Sequence, residues 1–141
     1  MKVRDCMSRD VHLARPDDTI RDAARAMAEI DAGALPVAET DRLVGMITDR
    51  DIAVRAVAQG RGPDTRVDQV MTREVLYCYE DQEADDVLRN MGDMKVRRLP
   101  VVDREKQLIG IVSLSDMTTG GARPPAAEAL QQIATPGGPH S

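Results

Sequence analysis

Leu43-Val44-Gly45-Met46-Ile47-Thr48-Asp49-Arg50-Asp51 and Leu108-Ile109-Gly110-Ile111-Val112-Ser113-Leu114-Ser115-Asp116 are two versions of one phrase. Each is an apolar run with glycine in third place, closed by a hydroxyl side chain, with a carboxylate three residues after the hydroxyl. An apolar run this short, entered from a polar turn, reads as a strand; a hydroxyl followed three residues on by an acid reads as the start of a helix.

Working outward, the whole chain repeats. Shifted by 64 positions, Val3 to Ala38 aligns with Val67 to Val102 without a gap, and eleven of 36 positions are identical, against roughly two expected by chance at ordinary composition. The matches include Met7 with Met71, Val11 with Val75, Asp22 with Asp86, Met27 with Met91, and Leu35-Pro36-Val37 with Leu99-Pro100-Val101. One extra residue in the Asp103 to Gln107 turn moves the offset to 65, which pairs Gly45 with Gly110, Thr48 with Ser113 and Asp51 with Asp116. This is a tandem duplication. Residues 1–62 form the first repeat, 63–121 the second, and 122–141 a short carboxy-terminal helix with a flexible tail.

Each repeat has the same expected grammar. A polar lead-in ending in Met-Ser or Met-Thr runs into a short extended piece, Val11-His12-Leu13 or Val75-Leu76-Tyr77. A helix follows, because Ile20, Ala23, Ala24, Met27 and Ile30, like Ala84, Val87, Leu88, Met91 and Met94, fall at helical spacing. Thr19 with Asp22 forms its amino-terminal cap in the first repeat, an acidic first turn serves in the second, and Gly33 is the expected stop of the first helix. Leu35-Pro36-Val37-Ala38 and Leu99-Pro100-Val101-Val102 read as strands that begin at a sheet edge or rim, since proline donates no ladder hydrogen bond. Each returns through a short polar turn into the opening phrase, making a hairpin. Asp51 to Gln59 then reads as a helix stopped by Gly60, while its second copy runs into Gly120-Gly121 after barely a turn. In the helix from about Ala126 to Ala134, Leu130 and Ile133 offer an apolar face, with the repeats and a second chain as alternative partners.

Composition narrows the functions. Hydrophobic residues make up 42% of the 141, yet Tyr77 and Tyr79 are the only aromatics, so the core is aliphatic. A formal charge of -5 argues against nucleic acid as the main partner, because binding a polyanion needs a positive face. Cys6, Cys78, His12 and His140 have no metal-ligand spacing and read as two unpaired thiols and no metal site. No apolar run approaches the ~20 residues of a membrane span, and the amino terminus lacks a signal-peptide core, so a cytoplasmic protein is expected. No nucleophile and base stand at recognisable spacing, so no catalytic residues are assigned and an enzyme is not expected.

Thr48-x-x-Asp51 has two readings. As a cap it satisfies free amides; as a ligand site its carboxylate offers paired acceptors for a vicinal diol such as the ribose hydroxyls, beside a hydroxyl and amides that suit phosphate. The second copy keeps the carboxylate although the helix it would cap is cut short. Lys95-Val96-Arg97-Arg98 is likewise either a solvated basic face or an anion site.

Met7-Ser8-Arg9, Gly33-Ala34-Leu35-Pro36-Val37 and Gly45-Met46-Ile47-Thr48-Asp49-Arg50-Asp51, duplicated over roughly residues 1 to 120, resemble a tandem pair of CBS domains, of the stand-alone type that includes the hypoxic response proteins. The resemblance implies an α+β fold, two βαββα repeats packed about a pseudo-twofold axis, with clefts for adenosine compounds. It places ribose at Asp51 and Asp116, phosphate or ribose at Thr48 and Ser113, adenine near Val11 and Val75, and phosphate at Arg97 and Arg98. Arg50, inside the first motif, has Ser115 as its counterpart, so unequal sites are expected. The implied ligand is AMP, ADP or ATP, with S-adenosylmethionine or NAD as further candidates. The implied role is a regulatory, energy-sensing homodimer that changes its interaction with a partner protein. The competing reading is a dimeric stress-response scaffold whose clefts are vestigial.

Overall fold

The computed structural model describes residues 1–94 and 98–113, with the side chains of 92–94 left aside. The expected Arg97, Asp116 and carboxy-terminal helix therefore lie outside the described residues.

Within each repeat the hairpin forms as the sequence requires. Helix α1 spans Ile20–Ile30, strand β1 Ala34–Glu39 and strand β2 Arg42–Thr48. In the second repeat β3 is Cys78–Tyr79, α3 Ala84–Met94, β4 Arg98–Val102 and β5 Leu108–Ser113. Both hairpins are antiparallel and both carry one bulge at the same place, where Val44 and Ile109 are the extra residues. Thr40 and Asp41 both take positive φ (49° and 64°), the geometry of a two-residue hairpin turn. The five-residue turn Asp103 to Gln107 puts Lys106 at φ 63° instead, and the Asp103 carboxylate accepts from the amides of Glu105 and Gln107. That difference in turn geometry is the one-residue change in repeat offset.

Helix α1 is capped by Thr19, whose side chain accepts from the Asp22 amide at 3.2 Å. Its stop is not Gly33 but Asp31, which takes the left-handed conformation (φ 53°) that a short polar side chain tolerates. Gly33 instead offers its carbonyl to the Asp49 amide. The extended pieces lie slightly later than expected: Ala14 bridges Val37 in parallel, and Cys78–Tyr79 pairs in parallel with Val101 and Val102. Ala14 donates to the Pro36 carbonyl and its ladder goes no further back, so Pro36 sits at the rim of the parallel pairing.

The chain divides into two compact units that exchange their lead-ins. One unit is His12–Val75; the other joins Met1–Val11 to the described residues that follow Val75. Repeat boundaries in sequence and unit boundaries in space are thus different divisions. In the first unit Thr72 and Met46 exchange both backbone hydrogen bonds; in the second Ser8 and Ile111 do the same. Val67 donates to Asp18 and Asp68 to Pro16, as Val3 donates to Gln82 and Arg4 to Glu80. A β-carbon on Gly45 would stand 2.9 Å from the Met71 sulfur and 2.9 Å from the Thr72 carbonyl oxygen; on Gly110 it would meet the Met7 sulfur at 2.7 Å and the Ser8 carbonyl oxygen at 2.8 Å. The repeated glycine and the repeated methionine therefore explain each other: the lead-in lies on the strand where a side chain is missing.

Each unit has its own aliphatic core. Ile20, Ala23, Met27, Leu35, Val37 and Ile47 meet Val67 and Met71 of the lead-in in one; Val87, Leu88, Met91, Leu99, Val101 and Val112 meet Val3 in the other. No disulfide joins Cys6 and Cys78. Burial, and secondarily the neighbouring Cys6, pushes the Cys78 thiol up to about 12, so it remains a protonated core side chain.

Candidate functional site

Thr48 ends β2 in extended conformation and caps the helix that follows, α2 (Asp49–Asp51). Its Oγ1 accepts from the Asp51 amide at 3.0 Å, and its own amide donates to Asp51 Oδ2 at 3.1 Å. This reciprocal capping box fixes the carboxylate. Asp51 is 9% exposed, the single buried charged residue among the described residues. Burying a carboxylate is costly unless it is paired. One oxygen is engaged by the cap, and the other, Oδ1, lies 3.8 Å from Arg55 Nε.

After α2 the backbone widens into a π turn over Ile52–Ala56, tightens to a 3-10 turn over Val57–Gln59, and stops at Gly60 (φ 78°). The π turn carries Arg55, whose Nη1 donates to the carbonyls of Val70 and Met71 at 3.4 and 3.3 Å. Sequence reasoning missed Arg55. Its i,i+4 spacing from Asp51 was a usable signal, but its reach to the lead-in carbonyls depends on the lead-in being where it is.

Ser113 ends β5 as Thr48 ends β2, and the residue opposite it across the hairpin is Arg98; opposite Thr48 stands Ala34. Directly opposed residues present their side chains on the same face. The structure thus brings together Thr48 with Asp51 and, separately, Arg98 with Ser113. Arg98 and Arg50 are exposed, and the Arg50 amide donates to Asp49 Oδ1. Val11 and Val75 are half-buried and sit at equivalent points, each the last residue before the chain passes from one unit to the other.

The two tyrosines stand edge to face on and beside β3, with ring centres 5.7 Å apart, Arg104 over Tyr79 and Lys106 over Tyr77. No group of three or more His, Cys, Asp or Glu able to hold a metal comes together among the described residues. Nor is any described helix long and apolar enough to cross a membrane.

As chemistry, Asp51 is a held carboxylate with one oxygen that accepts no hydrogen bond among the described residues. That fits a hydroxyl donor such as a ribose diol. Arg98 beside Ser113 fits an anion.

Two α+β repeats, each completed by the lead-in of the other, define a paired small-module protein. The model of the CBS domain matches residues 3–57 and 67–120, and the chain belongs to that family. The CBS domain-containing protein YhcV of Bacillus subtilis is 42% identical over 115 residues, covering 82% of this chain and 81% of YhcV. The crystal structure of Hypoxic Response Protein I with two coordinated zinc ions is similar at TM-score 0.75 and 34% identity, over 84% of this chain and 98% of that one. The crystal structure of CBSX2 in complex with AMP is similar at TM-score 0.74 and 26% identity, over 84% and 94% of the two chains.

Proposed function

We propose that the protein is a regulatory, non-enzymatic module that binds an adenine nucleotide and passes its occupancy to a partner protein. The observation that carries the reading is the Asp51 carboxylate, buried and held by the Thr48 capping box, with its second oxygen facing Arg55 at 3.8 Å and accepting no hydrogen bond among the described residues. In this reading Asp51 takes the ribose hydroxyls and Thr48 lies beside the ribose or phosphate. Val11 and Val75 line the base, and Arg50 lies near the phosphate. Ser113, with Asp116 and Arg97 from outside the described residues, forms the second site, where Arg98 supplies positive charge. The AMP complex of CBSX2 supports the ligand class for this family. AMP, ADP and ATP are the first candidates, S-adenosylmethionine and NAD the next.

A homodimer is part of the same proposal. Ala24 and Ala28 of α1, with Ile52 and Val57, line a groove of about 420 Å³. Val54 and Val57 are 44% and 68% exposed, an apolar face that a second copy would cover. Light scattering is expected to give a dimer that Val57→Asp converts to monomer.

Isothermal calorimetry tests the ligand. Binding of at least one of AMP, ADP, ATP, S-adenosylmethionine or NAD, abolished for one site by Asp51→Ala, is expected. Silence from all of them at millimolar concentration would leave the scaffold reading in its place.

A further inference from the structure

We propose that Arg55 is a positioning residue that couples the ligand carboxylate to the docked lead-in. The inference rests on the nucleotide reading for its ligand half and on geometry alone for the rest. One guanidinium faces Asp51 Oδ1 at 3.8 Å through Nε and donates through Nη1 to the last two carbonyls of the Val67–Met71 segment, Val70 at 3.4 Å and Met71 at 3.3 Å. The next residue, Thr72, exchanges both hydrogen bonds with Met46 of β2. Three residues further on stands Val75. A single planar side chain therefore spans from the proposed diol acceptor to the start of the segment that leads to the proposed base contact.

The arrangement has a direction. The Thr48 amide takes Oδ2 and Arg55 faces Oδ1, so the plane of the carboxylate is oriented before a ligand arrives. While Asp51 holds the guanidinium, the carbonyls of Val70 and Met71 keep their donor and the lead-in stays on the strand. A diol that donates to Asp51 rigidifies the same carboxylate, and docking of the lead-in is strengthened in turn. Coupling of this kind is reciprocal: whatever occupancy does for the lead-in, the docked lead-in does for affinity. The π turn contributes by carrying Arg55 on a widened helical segment, a deviation that recurs at functional sites.

Hydrogen exchange and nucleotide binding on the full-length protein test the two halves separately. Without ligand, the Thr72 amide is expected to exchange roughly tenfold faster in Arg55→Ala than in wild type, as removal of a net hydrogen-bonding contribution predicts. Asp51→Asn, which keeps an acceptor for the Thr48 amide but loses the charge, is expected to move the same amide in the same direction. With AMP, wild type gains protection at Thr72 and prefers AMP to 2′-deoxy-AMP. Arg55→Ala loses about tenfold in AMP affinity, narrows that preference and shows no ligand-induced protection. Arg55→Lys, which restores a charge but not the two-armed reach, recovers affinity without recovering protection. Arg55 is half exposed, 54% at its side chain, so the variants are expected to fold, and circular dichroism checks this.

Unchanged Thr72 exchange in ligand-free Arg55→Ala overturns the tether. Undiminished AMP affinity and preference in that variant overturn the positioning role. Absence of AMP binding by wild type overturns the nucleotide reading and the ligand half here, while the ligand-free comparison still decides the tether.

Discussion

Opposite the motif hydroxyl, one unit places Ala34 and the other Arg98, although the backbone around them is the same. Register, bulge, lead-in bridge and glycine–methionine contact all repeat between units. Charge does not. A duplicated frame has kept what closes each unit and varied what stands opposite the motif hydroxyl, so under the proposed function the two sites are expected to share the demand for a diol and differ in the demand for phosphate.

The largest effects should be equal in the two units. Leu35 and Leu99 are 1% and 3% exposed, and alanine at either is expected to cost about 3 kcal/mol in denaturant unfolding. A clear inequality would break the symmetry of the frame at its core. Next comes the lead-in contact. Gly45→Ala and Gly110→Ala each set a β-carbon under 3 Å from a backbone carbonyl and are expected to destabilise by about 2 kcal/mol. Hydrogen exchange would rise first at Thr72 in one variant and at Ser8 in the other.

Below these lie the differences. Arg98→Ala is expected to weaken ATP binding at the second site by roughly tenfold while barely changing adenosine binding, since a charge-assisted hydrogen bond is lost. The reciprocal Ala34→Arg would sharpen the comparison by strengthening phosphate binding at the first. Thr48→Ala removes the acceptor for the Asp51 amide and is expected to cost about 1 kcal/mol in unfolding stability.

The smallest effect depends on pH. Lys2 hydrogen-bonds Glu83 where the lead-in meets the start of α3, and holds the Glu83 carboxyl below its usual range. A depressed carboxyl gives stability that is present above its unfolded value and is lost as pH falls through its folded value. The equivalent position in the other unit is the uncharged Thr19. Between pH 6 and 3 the Ala84 amide, which donates to the Met1 carbonyl, should lose protection ahead of the Ile20 amide, which donates to Thr65. Salt should shrink the difference, because the pair is exposed.

Much of this was legible in the chain. The hairpins, the Thr19 cap and the buried faces of α1 and α3, apart from the exposed Ala24, follow from periodicity and repetition, because neighbours in sequence decide them, and the family follows from the resemblance of the duplicated motifs. The exchange of lead-ins does not. A duplication says that Met7 corresponds to Met71 and Gly45 to Gly110, and leaves both pairings of methionine with glycine equally consistent. Asp31 took the helix stop from Gly33 because the left-handed residue is set by where the last turn closes, two residues earlier than the glycine. At the site, Thr48 with Asp51 was readable as a local motif. Arg55 was readable only in its i,i+4 spacing from Asp51, since its other partners are carbonyls 15 and 16 residues away.

The exchange also separates two kinds of ancestry in the molecule. A stretch of about 64 residues was what became doubled, yet neither copy, cut out at residue 62, contains the segment that closes its own sheet. The object that was inherited twice is not the object that stands up by itself. Halves severed at that point are expected to find each other in solution, each supplying the missing edge of the other, and later additions to such a chain inherit a pair that behaves as one evolutionary indivisible.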